Sequence, residues 1–116
     1  MYDANKRVDV NIQDNYEHTQ FFVACQEYNI EIVKHMMQEP IVDVNKQNDN
    51  GCTPFVGVCC NGVVDLALIL LSSGRINLGE TTKNDIGNIE AGSTVEDIAR
   101  IKSRTDILHL LMEYKK

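Results

Sequence analysis

Apolar and polar positions follow one pattern twice along this chain. Val8 and Val10 alternate with polar residues, an Asn/Asp-rich segment leads to Thr19, and two short apolar-periodic runs separated by a break carry on to Ile41. Val42 to Arg75 repeats the order, and a degraded third copy opens at Ile76, so the period is 34 residues. In the first copy Phe21, Ala24 and Cys25 form an i, i+3, i+4 stripe; Ile30, Val33 and Met37 do the same in the second run, with Ile32 and Met36 widening it. Each unit therefore predicts turn, helix, turn, helix. Repetition at such a period predicts a stacked array.

The second copy has the cleanest local signals. Asn48-Asp49-Asn50-Gly51 reads as a turn, Thr53 as a helix cap, Pro54 as the first helical residue and Gly62 as the helix exit. Its second helix, predicted over Val63 to Leu71, has a single charge at Asp65, as a middle unit buried on both sides would. Leu68 stands where the other copies have Lys34 and His109, so it should face solvent, either as a partner contact or as a lone surface leucine. Gly57 weakens the first helix by about 1 kcal/mol against Ala.

Thr53-Pro54-Phe55-Val56, with Val58 and Asn61-Gly62 further on, resembles the T-P-L-H-x-A core of the ankyrin repeat. The likeness extends to Asp43-Val44-Asn45 and to Asp65 through Leu71, and in three registered units it covers Val8 to about Met112. It implies an all-α solenoid of helix-turn-helix units with hairpin-like finger loops, in one domain over residues 1–116: a polar lead at 1–7 and repeats at 8–41, 42–75 and 76–116. It also implies positive φ at Gly51 and Gly62, and hence at Glu17 and Tyr28 of the first repeat, where a side chain costs about 1 kcal/mol. Gln20 lacks the pre-set φ of Pro54. Asn11 and Asn45 stand at positions that some family members offer to a hydroxylase.

The third repeat should find its cap at Thr94, which lies 41 residues after Thr53, seven more than the period. The added residues fall around 81–91, which predicts an extended last finger, either functional or a tolerated excursion. Glu96, Asp97, Arg100, Lys102, Arg104 and His109 replace apolar or small residues, while Ile98, Ala99, Ile107, Leu108 and Leu111 keep an inner face, as a C-terminal cap requires. Nothing before Val8 has the pattern of an N-terminal cap. The chain therefore reads as an excised piece, or as an array whose first face is exposed and self-associates.

A length of 116 residues with 43% hydrophobic content supports one modest core. The net charge of −6 argues against nucleic acid and favours a basic partner. No apolar run reaches the ~18 residues needed to span a bilayer, and MYDANKRVDVN lacks a signal-peptide stretch, so a soluble intracellular protein, cytoplasmic or nuclear, is expected. Cys25 and Cys59 occupy equivalent positions that suit a small hydrophobe; Cys52 should be exposed on a finger and Cys60 should lie near the groove. Cys52, Cys60 and His18 lack the close-spaced ligand pair of a zinc site, no glycine-rich phosphate loop is present, and the cysteines and histidines form no catalytic constellation. Neither metal, cofactor nor catalysis is expected.

What remains is a protein-binding module presenting finger tips and first helices on a concave surface. By correspondence within the resemblance, the variable positions are Gln13, Asn15, Tyr16, His18, Gln26 and Glu27 in the first unit, and Gln47, Asp49, Asn50, Cys52, Cys60 and Asn61 in the second. In the third they are Ile101 and Lys102 beside the inserted loop. Tyr16 and Tyr28 are the expected anchors, because aromatic residues dominate interface hot spots. The alternative is a segment of a larger ankyrin protein whose activity resides in another domain.

Overall fold

The computed structural model describes residues 10–114; the polar lead and the opening of the first repeat at Val8 lie outside them. Among the described residues six helices follow in three pairs: α1 (Gln20–Gln26) and α2 (Ile30–Met37), α3 (Pro54–Asn61) and α4 (Val64–Ser72), α5 (Val95–Ile101) and α6 (Thr105–Tyr114). First helices stack α1 on α3 on α5, each packs against its own second helix, and α4 touches α6. The result is an elongated body of 43 × 28 × 22 Å. Among the described residues the β pairing is one isolated antiparallel bridge, Ile86 to Ile89.

Each first helix begins where the sequence places a threonine. The hydroxyls of Thr19, Thr53 and Thr94 accept from the N–H groups of Phe22 at 3.1 Å, Val56 at 3.2 Å and Asp97 at 3.3 Å. Asp97 returns the favour by accepting from the Thr94 N–H at 3.0 Å, completing a capping box. Thr19 and Thr53 are each 1% exposed, so no water could replace either hydroxyl. The second helix of the middle unit starts one residue later than predicted, with Val63 as its N-cap and no side-chain cap bond, in register with the start of α2 at Ile30.

The helix exits repeat one geometry three times. Asn29, Val63 and Arg104 donate backbone N–H bonds back to Ala24, Val58 and Ala99 at 3.0, 3.2 and 2.8 Å, and the residue before each donor is left-handed. Those residues are Tyr28, Gly62 and Ser103, with φ of 58°, 72° and 56°. Finger ends behave alike: Glu17, Gly51 and Gly92 have φ of 63°, 82° and 86°. The strain expected at Glu17 and Tyr28 is thus present. Ser103 is a third instance, hidden in the sequence by the seven-residue shift.

The core contains Phe21, Phe55, Leu66, Leu70, Ile98, Ile107 and Leu111, all at most 1% exposed, with Cys25 and Cys59 buried among the small positions. Two expectations need correction. Ile32, read as part of the buried stripe, is 43% exposed, although its counterparts Leu66 and Ile107 are buried; those two have a preceding unit against them, and no described residue stacks on Ile32. Arg104, read as a solvent-facing residue of the cap, folds back so that its Nε donates to the Cys60 carbonyl at 3.0 Å. That bond anchors the third repeat to the end of α3.

Candidate functional site

Three fingers project ahead of the first helices, and each is closed by the same backbone bond. Asp14, Asn48 and Thr82 donate N–H to the carbonyls of His18, Cys52 and Ser93 at 2.9, 2.8 and 3.0 Å. The side chain at the start of each finger holds the turn from within. Asp14 Oδ1 accepts from the Tyr16 and His18 N–H groups at 2.9 and 2.8 Å, and Asn48 Oδ1 from those of Asn50 and Cys52 at 3.0 and 2.9 Å. The His18 N–H foremost, then that of Tyr16, holds the exposed Asp14 carboxyl below its ordinary range. Successive fingers are stitched together by Asp49 N–H to Tyr16 carbonyl at 3.2 Å and Lys83 N–H to Asn50 carbonyl at 2.8 Å.

Gln13 and Gln47 serve the same stitching. Gln13 Nε2 donates to the Glu17 carbonyl at 2.6 Å and to that of Gln47 at 3.0 Å; Gln47 Nε2 donates to Gly51 at 2.7 Å and to Thr81 at 2.9 Å. Their donors are therefore directed at the chain's own backbone. Asn11 and Asn45 work likewise at the base of the repeats, accepting from the Asp43 N–H at 2.7 Å and the Asn77 N–H at 2.8 Å.

The third finger is longer than the other two, closing between Thr82 and Ser93. Within it Ile86 and Ile89 exchange backbone bonds of 2.8 and 2.9 Å, Asp85 accepts from the Ala91 N–H, and Ile89 is 3% exposed in the core. The loop leans on the second finger, where Asn84 Nδ2 donates to the Asp49 carbonyl at 3.2 Å. Contact is close enough that a Cβ at Gly51 would stand 2.5 Å from the Lys83 nitrogen. Lys83 and Asn84 thus join the finger surface, which the Lys-Asn-Asp run of the insertion signalled only as polarity.

Tyr16 is 65% exposed at the tip of the first finger. Its ring centroid lies 6.2 Å from that of His18, whose ring lies 4.6 Å from buried Phe22. His18 is gripped by Asp14 Oδ2 at 3.7 Å and by Asn48 Nδ2 at 3.3 Å. An aromatic file thus runs from solvent into the core. The exposed phenol stands on a fixed base, which lowers the entropy lost when it docks.

A family model for ankyrin repeats in three copies matches residues 4–81 and 21–116, two overlapping spans that together take in nearly every residue. The chain belongs to the ankyrin repeat family. A search of curated proteins finds no match. Ankyrin repeats are generally protein–protein interaction modules, and the family is typically non-enzymatic.

In this ankyrin stack the predicted partner-binding residues fall into two groups separated by the length of the first helices, about 10 Å. Gln13, Asn15, Tyr16, His18, Gln47, Asp49, Asn50 and Cys52 gather on the fingers. Gln26, Glu27, Tyr28, Cys60, Asn61, Ile101 and Lys102 gather at the helix exits. Asn15, Tyr16, Asp49, Gln26, Glu27, Asn61 and Lys102 are exposed; His18, Gln47, Asn50 and Cys60 are half-buried. Tyr28, 46% exposed, already has a partner: its hydroxyl donates to Asp65 Oδ2 of the next repeat, and that bond raises the phenol's pKa.

Cys52 is the remaining correction. Expected to be exposed, it is half-buried against the core, and loss of water pushes its thiol up to about 11. Burial likewise pushes Cys25 up to about 12 and raises Cys59 further. Neutral thiols of this kind are poor nucleophiles. Among the described residues no three His, Cys, Asp or Glu side chains converge as a metal site, and no helix is long and apolar enough to cross a membrane.

Proposed function

We propose that this ankyrin domain is a non-catalytic binding module whose finger tips and first helices dock a protein with a basic or mixed surface, anchored by Tyr16. The observation that carries this reading is the Tyr16–His18–Phe22 file, an exposed aromatic side chain braced from the core. Large aromatic residues on a rigid base supply much contact area at low entropic cost, the character of an interface hot spot. Exposed Asp49 and Glu27, together with the net charge of −6, favour a cationic partner through steering of the encounter.

The test begins by isolating the partner with the intact protein, followed by calorimetry on single variants. Tyr16→Ala should weaken binding by about 2 kcal/mol, and Asn15→Ala by little, as expected of a hot spot and its rim. Glu27→Lys should chiefly slow association and flatten its salt dependence. Lys34→Glu, on the opposite face, should be silent. Abolition of binding by Lys34→Glu with Tyr16→Ala unaffected would move the interface to the side of Leu68, which is 51% exposed.

A further inference from the structure

The two ends of the stack differ in chemistry. On the first repeat, α1 and α2 border a groove of about 780 Å³ whose apolar lining is Val23, Ala24, Ile32 and Met36, with Ile12 at the finger side. Ile12 is 61% and Ile32 43% exposed. At the other end, α5 carries Glu96, Asp97 and Arg100 at the places of Phe55, Val56 and Cys59, all three buried in α3. Arg100 pairs with Glu96 at 3.0 Å and with Asp97 at 3.8 Å.

This asymmetry bears on how copies could associate. Within the stack the Phe22 ring packs 3.7 Å from where Gly57 would carry a Cβ, and the next residue in that register is Val56, then Asp97. Seating the C-terminal end of one copy in the groove of another would press the Asp97 carboxylate and its ion pairs onto Val23 and Ala24. Burial of such charges against apolar surface is costly. Head-to-tail growth is therefore disfavoured.

We propose that the groove is closed by the same groove of a second copy, in a head-to-head dimer with the two α2 helices antiparallel. A two-fold interface must be self-complementary, and α2 meets that condition. Glu31 and His35 lie one turn apart, both exposed and both bordering the groove, with Ile32 between them. A two-fold axis crossing α2 midway brings each Glu31 opposite the second copy's His35, twice by symmetry, and sets the two Ile32 side chains together. An imidazole N–H donates to a carboxylate whether the ring is neutral or protonated. His35 occupies the place of Ile69 and Leu110, so the polar departure falls on the groove itself. Of the other titratable groups bordering it, Asp14 and His18 pair with each other, which leaves exposed Glu27 as the one further acid.

Sedimentation and light scattering across a concentration series test this directly. The full chain should pass from monomer to dimer and stop there. Ile32→Glu, at an exposed position the fold does not need, should abolish the dimer, while Met112→Glu, 64% exposed at the other end, should leave it intact. Glu31→Lys should raise the dissociation constant about tenfold, a loss of about 1.4 kcal/mol, and adding His35→Glu should restore it. A strictly monomeric chain, growth beyond dimers, or dissociation by Met112→Glu but not by Ile32→Glu would each overturn the proposal. So would a monomer that dimerises only after deletion of residues 1–9, which would assign the groove to the chain's own lead.

Discussion

The guanidinium of Arg75 donates from Nη1 to the Met37 carbonyl at 2.8 Å, across the boundary between the first two repeats. Nη1 also reaches the Glu39 carbonyl at 3.4 Å, and Nη2 donates to that of Val42 at 2.6 Å. One half-buried side chain thus caps the end of α2 and the turn that follows it. Arg75→Ala should destabilise the domain by about 2 kcal/mol, the scale of charge-assisted bonds to otherwise orphaned carbonyls. Arg75→Lys should recover only part, because an ammonium cannot span the fork. Urea unfolding measures both.

Left-handed residues offer the opposite change. Ser103→Gly and Glu17→Gly should each stabilise by about 1 kcal/mol, the relief of a side chain held at positive φ. Tyr28→Gly should gain less, since it also loses the bond to Asp65 that ties the first repeat to the second. Melting temperatures of the three single variants check the ranking. A Tyr28→Gly gain as large as that of Ser103→Gly would mean the inter-repeat bond contributes nothing.

Gly62 should tolerate nothing larger. It has φ of 72°, and a Cβ there would stand 3.0 Å from Arg104 Cδ and 3.1 Å from its Cζ. Gly62→Ala should cost about 2 kcal/mol, combining backbone strain with displacement of the arginine. In an Arg104→Ala background the same substitution should cost less, because only the strain remains. A double-mutant cycle in urea measures the difference.

Stability should also fall on the alkaline side. An unfolded thiol titrates near 9.0, whereas folded Cys25 stays protonated to about 12 and Cys52 to about 11. Above pH 9 the unfolded chain therefore binds fewer protons than the fold, and unfolding becomes easier as pH rises. For Cys25 the slope approaches about 1.4 kcal/mol per pH unit between those limits. Cys25→Ala should flatten the decline seen in denaturant titrations from pH 8 to 11.

A separate loss belongs to the acid side. The Thr94 N–H chiefly, with the Thr94 hydroxyl and Arg100, holds the Asp97 carboxyl below its usual range, and Asp14 behaves likewise. Their contribution is fully present above the ordinary carboxylate range and is lost as pH falls from that range down through the lowered folded values. Asp97→Asn should make the acid limb shallower.

Sequence alone determined the repeat register, the three threonine caps, the small buried cysteines and the strain at Glu17 and Tyr28. Those features are local or recur at a fixed period, so a helix cap or a left-handed exit in one repeat predicts its counterpart in the next. It also brought Tyr16 forward, as an aromatic residue in a polar finger. Tertiary structure decided what each side chain meets: Ile32 is exposed because no described residue packs over it, whereas its counterparts Leu66 and Ile107 are buried within the stack, and Arg104 turns inward because Gly62 leaves space beneath it. The glutamines at 13 and 47 donate to the next finger, and the insertion tucks Ile89 into the core. Partners 30 or more residues away supply the physical reason, since an amide, a guanidinium or an isoleucine looks the same in sequence whether it faces water or a neighbouring repeat.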